Sequence, residues 1–380
     1  MEFLPRTLLF YILSHVYLFW RFYRLSGRKR VFLFTLPAFA AMGMFPFVYH
    51  LLPAGTVQEL FGRAGTLWLP PAFFCLIVFV IADALSMVAL LFRRVFPSGI
   101  LLFFSRKRYL ALLLLIAAGL YAYGVYEAHS LRITTLHIPT EKLPAGTDKL
   151  RIVFASDLHI GPQTGTTMLG RTVDMILAQQ PDMILLGGDL LDDSFQGTPG
   201  DVRELRRLQA PLGVYTVLGN HDTFGGYHNA VRTIKYAGLT LLSDETVDAG
   251  PIRLVGLDDP LVTLQKGVPS ADISTLLRRA QSAPPERFII LLDHRPEIRR
   301  DTVGLFDLQL SGHSHGGQLI MLKALLESKY GTPTGFSEYQ SPVGRSVLFV
   351  TTGTGFSKLP IRLFVPPEIV VIDITRREAQ

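Results

Sequence analysis

The chain has 380 residues, 49% of them hydrophobic, with a mean hydropathy of +0.32, high for an ordinary soluble protein. Its net charge of +6 is held unevenly: residues 1–130 carry twelve Lys/Arg against four Asp/Glu, and residues 131–380 carry 25 against 27. The basic balance belongs to the apolar first third, which argues against nucleic acid as a partner. The single cysteine, Cys75, excludes an intramolecular disulfide.

Four apolar stretches, about 7–20 (a span reaching 24 with its anchors), 31–52, 66–92 and 109–127, predict a transmembrane bundle of about four helices within residues 1–128. The first is short in its pure form and extends through Trp20 and Tyr23 as interfacial anchors. A cleaved signal peptide is its competing reading, but Arg21 to Arg30 stand where a small-residue cleavage site belongs. Arg21, Arg24, Arg28, Lys29 and Arg30 separate the first two stretches, and Arg93, Arg94, Arg106, Lys107 and Arg108 the last two. Only Arg63 lies between the second and third. Basic loops stay cytoplasmic, so both termini and the domain after residue 128 are expected on the outer side. Asp83 in the third stretch reads either as an intramembrane polar site or as a carboxyl facing a neighbouring helix. His15, Pro37, Pro46, Pro70 and Pro71 read as packing and kink residues.

From residue 131 to 380 the pattern becomes α/β. Short apolar runs at 150–156, 182–188 and 213–219 alternate with helical stretches at 167–180 and 201–210. Further strands are expected at 253–257, 288–293, 308–312, 346–353 and 368–374, which argues for a second sheet. Residues 142–149 read as a turn-rich lead-in, and 322–345 as a long insertion whose Tyr330, Phe336 and Tyr339 gate a pocket, touch lipid or simply line a surface loop.

Polar residues of metal-ligating type follow five of these apolar runs. They are Asp157 and His159; Asp189; Asn220, His221 and Asp222; His294; and His313 and His315. Loops at the carboxyl ends of strands are where α/β folds build their sites. Mixed oxygen and nitrogen donors without thiolate suit manganese, iron or zinc better than calcium. Seven candidate ligands are more than one ion needs. Paired divalent ions sharing a carboxylate are standard machinery for phosphoryl hydrolysis.

Together SDLH, GGDL, GNHD, LDHRPE and SGHSHGGQ resemble the calcineurin-like metallophosphoesterase superfamily, over about 250 of the 380 residues. The GHSHGGQ run and a PIR…PPEI segment, Pro360–Arg362 and Pro366–Ile369, are similar to its membrane-associated bacterial phosphodiesterases. The resemblance implies a four-layer α/β/β/α sandwich. It implies one ion on Asp157, His159, Asp189 and His315, and a second on Asp189, Asn220, His294 and His313, with Asp189 bridging. It makes His221 a catalytic contact to the phosphate or leaving group, oriented by Asp222. The apolar first third lies outside that pattern. The expected protein is a multi-pass bacterial inner-membrane phosphodiesterase or phosphatase, manganese-dependent first and then iron or zinc, with its active site on the periplasmic side. A domain starting so close to a span favours a lipid-linked or envelope phosphoester. UDP-diacylglucosamine hydrolases of lipid A synthesis are one named candidate, although that reaction is cytoplasmic. A transporter or sensor with a regulatory metal domain is the alternative from another class.

Overall fold

The computed structural model of the protein describes residues 3–26, 56–92, 107–192 and 197–377. The expected span at 31–52, and the basic residues Arg28–Arg30, Arg93, Arg94 and Arg106, lie outside the described residues. The chain divides into two compact units, Met1–Tyr123 and Gly124–Gln380.

The first unit is helical. It contains α1 (Phe3–Ser26), α2 (Thr56–Leu91) and most of α3 (Lys107–Ala128). Among the described residues, Trp68–Leu91 and Arg108–Ala128 are long and apolar enough to cross a membrane. Asp83 faces α1, where Tyr17 Oη donates to its Oδ2 at 2.6 Å and Arg21 pairs with its other oxygen. His15 accepts from Trp68 Nε1 at 3.1 Å, and Phe22 packs edge-on against Phe79. Both polar side chains therefore join helices, as such groups do where no water competes.

The second unit is built on two six-stranded mixed sheets. Its elements are β1 (Arg132–Thr140), β2 (Lys149–Ala155), α4 (Gly165–Leu177), β3 (Met183–Leu186), α5 (Pro199–Leu205), β4 (Val214–Thr216), α6 (His221–Phe224), α7 (Tyr227–Ala237), β5 (Thr240–Leu241), β6 (Glu245–Ala249) and β7 (Ile252–Gly256). They continue with α8 (Pro260–Lys266), α9 (Ile273–Ser282), β8 (Phe288–Leu292), β9 (Leu308–Ser311), α10 (Ile320–Tyr330), β10 (Gly335–Gln340), β11 (Arg345–Val350) and β12 (Glu368–Arg376). The sheet orders are β1-β12-β2-β3-β4-β5 and β10-β11-β9-β8-β7-β6.

Strands β2 to β5 run parallel, as do β7, β8, β9 and β11. The all-apolar runs MILL and FIILL are buried throughout, as parallel strands covered on both faces must be. Ile152, Phe154 and Leu185 of one sheet meet Leu254, Ile290 and Leu310 of the other in a shared core. The outer face of the first sheet is covered by Leu169, Val173 and Ile234 from α4 and α7. Leu277 and Ala280 of α9 cover Val255 and Leu291 of the second. The order is α/β/β/α, and the carboxyl ends of β2, β3 and β4 lie along one edge.

Residues 322–345, expected as an insertion with a plain surface loop as one reading, are not a plain loop: they carry the body of α10 and the edge strand β10. Leu, Met, Ala, Lys and Glu favour helix, and Gly331 ends it in the left-handed conformation at φ 69°.

Candidate active site

After the apolar strands β2, β3 and β9 the backbone turns sharply, and the turning residues are polar. Asp157, His159, Asp189, His313 and His315 all have φ between 45° and 67°, a region that side chains enter at a cost of about 1–2 kcal/mol. These five are half of the ten non-glycine residues with positive φ among the described residues. The turns are tied together. Asp157 N–H donates to Gly188 O at 3.0 Å, His159 N–H to Asp189 O at 3.1 Å, and Gly312 N–H to His294 O at 3.0 Å. Gly312 lies so close to the Asp157 carboxylate and Ser156 Oγ that a Cβ would overlap both.

The side chains converge in two groups. Asp157, His159 and His315 place ligand atoms within 4.8 Å of one another, as do Asp189, His294 and His313. Asp189 lies between them, with Oδ2 3.2 Å from His294 Nε2 and 3.8 Å from His159 Nε2. His159 Nε2 faces His315 Nε2 at 3.0 Å, and His313 Nδ1 faces His294 Nε2 at 3.2 Å. His315 Nε2 is 3.4 Å from Asp157 Oδ1. A third grouping, His159, Asp189 and His221, overlaps the first two.

The outer nitrogens are held by the protein. His294 Nδ1 lies 2.8 Å from Gly187 O, which makes it the donor and leaves Nε2 facing inward. His159 Nδ1 meets Asp192 Oδ1 at 3.2 Å, and His313 Nε2 meets Tyr330 Oη at 2.7 Å. Arg362 Nη2 approaches His315 Nδ1 at 3.3 Å while its guanidinium donates to the carbonyls of Gly353, Gly355 and Val365.

Asn220 caps the short helix α6. Its Oδ1 is buried without a hydrogen-bond partner. His221 is anchored by its backbone N–H on Asp189 Oδ1 at 2.7 Å, with its ring 4.7 Å from that of His159. Both oxygens of Asp222 accept from backbone amides, Leu191 at 2.8 Å and Gly219 at 2.9 Å. Among the described residues, Asp192 Oδ1 lies 3.7 Å from His221 Nδ1. Asp192 and Arg362 are not among the residues the sequence singles out for the site, and Tyr330, expected to gate a pocket, touch lipid or line a surface loop, meets His313 instead. Their sequence signals were slight: the second acid in DLLDD, an aromatic at a helix end and the arginine of PIR.

The electrostatics follow from burying acids beside imidazoles. Burial favours a neutral Asp189, but His294, by charge and hydrogen bond, then His159 and His221 hold its carboxyl well below the usual range. Burial likewise opposes a charged His294, and Asp189 overcomes it, raising His294 to about 10. Burial first, then His294, pushes His313 down to about 3. Burial lifts Asp222 to about 6, with the Asp189 charge adding to it.

These donors suit divalent cations. Two sets of convergent oxygen and nitrogen atoms adjoin at Asp189, a member of one set whose Oδ2 lies 3.8 Å from His159 Nε2 of the other. A buried amide oxygen lacks a donor. Facing imidazole nitrogens have their far sides fixed by Gly187 and Asp192.

Residues 150–317 match the family described as calcineurin-like phosphoesterase. The chain is 31% identical over 261 residues to a metallophosphoesterase of Aquifex aeolicus (strain VF5), a match covering 68% of this chain and 97% of that one. It is 33% identical over 275 residues to the metallophosphoesterase YkuE of Bacillus subtilis (strain 168), covering 68% and 91%. It is 30% identical over 280 residues to a transmembrane protein with metallophosphoesterase domain of Danio rerio, covering 70% and 62%.

Proposed function

Because the chain belongs to the calcineurin-like metallophosphoesterase family, we propose that it hydrolyses a phosphoester at a centre of two divalent ions, as a phosphodiesterase or phosphatase. The observation that carries this reading is Asp189, whose Oδ2 is shared between the His159 and His294 groups. Asp157, His159, Asp189 and His315 would hold one ion, and Asp189, Asn220, His294 and His313 the other. Manganese is the first choice for this oxygen and nitrogen set. When bound, the ions supply an acidified water and neutralise phosphoryl oxygens as charge builds.

The protein's own groups do the rest. Asp192 accepts from His159 Nδ1 and lies 3.7 Å from His221 Nδ1, so one carboxylate orients the first ring and stands beside the second. His221 then gives the proton at Nε2 to the departing oxygen. Asp222 binds the amides of Leu191 and Gly219 and so fixes the loop that carries His221 against the Asp189 loop.

We place the chain in a membrane as a multi-pass protein of about four spans, with residues 131–380 on the outer side of a bacterial inner membrane. Two apolar helices and a relative named as a transmembrane protein support the membrane. The Lys/Arg asymmetry supports the side. A lipid-linked or envelope phosphoester is the proposed substrate class. The test is a hydrolysis screen of the full chain in detergent with added manganese over mono-, di- and pyrophosphate esters. Metal-dependent turnover of at least one class is expected. Metal binding without turnover of any class would favour a regulatory metal domain instead.

A further inference from the structure

Helix α10 has no buried residue. Its outward side carries Met321, Leu322 and Leu325, the last 65% exposed, where a helix on a soluble surface would carry polar groups. Its inward side delivers Tyr330 Oη to His313. One helix thus presents apolar side chains to the surroundings and a hydroxyl to the candidate centre.

What covers that apolar side is argued from its neighbours. Ile320 N–H donates to Leu363 O at 3.0 Å, and Leu363 N–H donates to Gln318 O at 3.0 Å. On the other side of the same segment, Arg362 N–H donates to Gly124 O at 2.9 Å and Val365 N–H to Glu127 Oε2 at 3.2 Å. Gly124 and Glu127 belong to the last turn of Arg108–Ala128, a helix long and apolar enough to span a membrane. The start of α10 is therefore one backbone segment away from the point where a candidate span ends. Such an end lies at the headgroup level. Phe364, 58% exposed, extends the apolar surface between them. Lys323 stands on α10 itself, 3.9 Å from Glu327, and a lysine there can reach an anionic headgroup with its stem along the apolar side.

We propose that the outward face of α10, with Phe364, docks on the surface of the lipid bilayer and holds His313 and Tyr330 close to headgroup depth. The occupant is the membrane in which the chain itself sits. Its consequence for substrate choice, a phosphoester carried by a lipid, rests on the hydrolase reading above; the docking does not.

The test uses the full chain with Cys75→Ser, its only cysteine removed, and one new cysteine carrying an environment-sensitive fluorophore. Leu325→Cys probes α10, and Ser282→Cys, exposed at the end of α9, is the reference. The protein is reconstituted into phosphatidylethanolamine and phosphatidylglycerol vesicles containing lipids brominated near the glycerol. A helix lying ~5–10 Å into the interface places the 325 label within reach of shallow quenchers, so about twofold quenching is expected there and none at 282. No quenching at 325 overturns the proposal. So does a change at 325 that follows protein density rather than brominated lipid, which would mark a second copy as the occupant. In a second arm, Leu325→Glu should lower kcat/KM about tenfold on a vesicle-borne phosphodiester, the order of one lost leucine burial, and leave a water-soluble nitrophenyl diester unaffected. Equal losses on both esters would overturn the substrate part. Failure of the unaltered chain to cleave either ester would sink the hydrolase reading while the quenching result still decides the docking.

Discussion

His159 and His315 face each other nitrogen to nitrogen, Nε2 to Nε2, at 3.0 Å, although their residues are 156 positions apart. Asp192 engages the far nitrogen of His159, so its near nitrogen turns a lone pair inward. Asp157 and Asp189 stand around the same point. A proton satisfies that arrangement partly, and a divalent cation satisfies it on all sides.

Asp189 is the carboxylate common to both groups, so its removal should disturb both sites. Asp189→Ala is expected to take the purified full chain from two manganese ions per chain to none by elemental analysis after desalting. Retention of one tightly held ion in the variant would show that the two groups load independently.

Asp192 is expected to act at a distance from the ions by fixing the tautomer of His159. Asp192→Asn should weaken manganese binding by about 10–100-fold, the usual scale for the partner of a ligating imidazole. The measurement is a calorimetric titration of the stripped protein. Because Asp192 also faces His221 Nδ1, the pH profile of turnover should shift as well. Unchanged affinity and profile would reduce Asp192 to a surface acid.

His221 stands in ligand reach of His159 and Asp189, yet is proposed to serve the leaving group. His221→Ala should then keep both ions and lower turnover by ~10²–10⁴-fold, less for a nitrophenyl leaving group than for an alkyl one. Loss of an ion in the variant would make His221 a ligand.

How much of this was legible follows from where each residue sits. Asp157, Asp189 and His294 come directly after runs such as IVFA, MILL and FIILL, whose burial is written in their composition. The apolar run fixes the strand, the parallel topology fixes its end, and the polar residue has nowhere else to point. Asp192, Tyr330 and Arg362 gain their roles only when chain segments 17 to 47 residues apart meet, and no local period announces that. Strand β1 escaped notice because RITTLHIPT is half-exposed along its length, a sheet edge without an apolar run. Helix α10 was obscured by glycines on either side and by the absence of any buried face.

Away from the site, Asp373 lies in register with Arg151 across β12 and β2. Arg151 Nε and Nη2 donate to its two oxygens at 2.8 and 3.0 Å, and Lys149 lies 3.0 Å away. The Arg151 hydrogen bonds, larger than the opposing effect of burial, and then Lys149 lower the Asp373 carboxyl to about 2. An acid with a depressed folded-state pKa stabilises above its unfolded value of ~3.9, and the gain disappears as pH falls toward the folded value. Asp373→Asn should therefore cost about 1 kcal/mol at pH 7, allowing for solvent screening of the exposed Lys149. The melting temperatures of variant and parent should converge between about pH 4 and pH 2. A gap that persists at pH 2 would assign the loss to packing.

The side of the membrane decides which substrates the site can meet. Five Lys/Arg lie between the first and second apolar stretches and five between the third and fourth, against one between the second and third. Each of these loops is short enough for its basic residues to count in orientation, and acidic residues contribute little. The residues after Ala128 should then be translocated, provided that Arg108–Ala128 is a true crossing. Its length of 21 residues is just sufficient. Alkaline phosphatase fused after Gln380 should be active, and a cytoplasm-only reporter at the same position silent. The opposite pattern would put the metal centre inside. A cytoplasmic lipid precursor such as UDP-diacylglucosamine would then become the first substrate to assay.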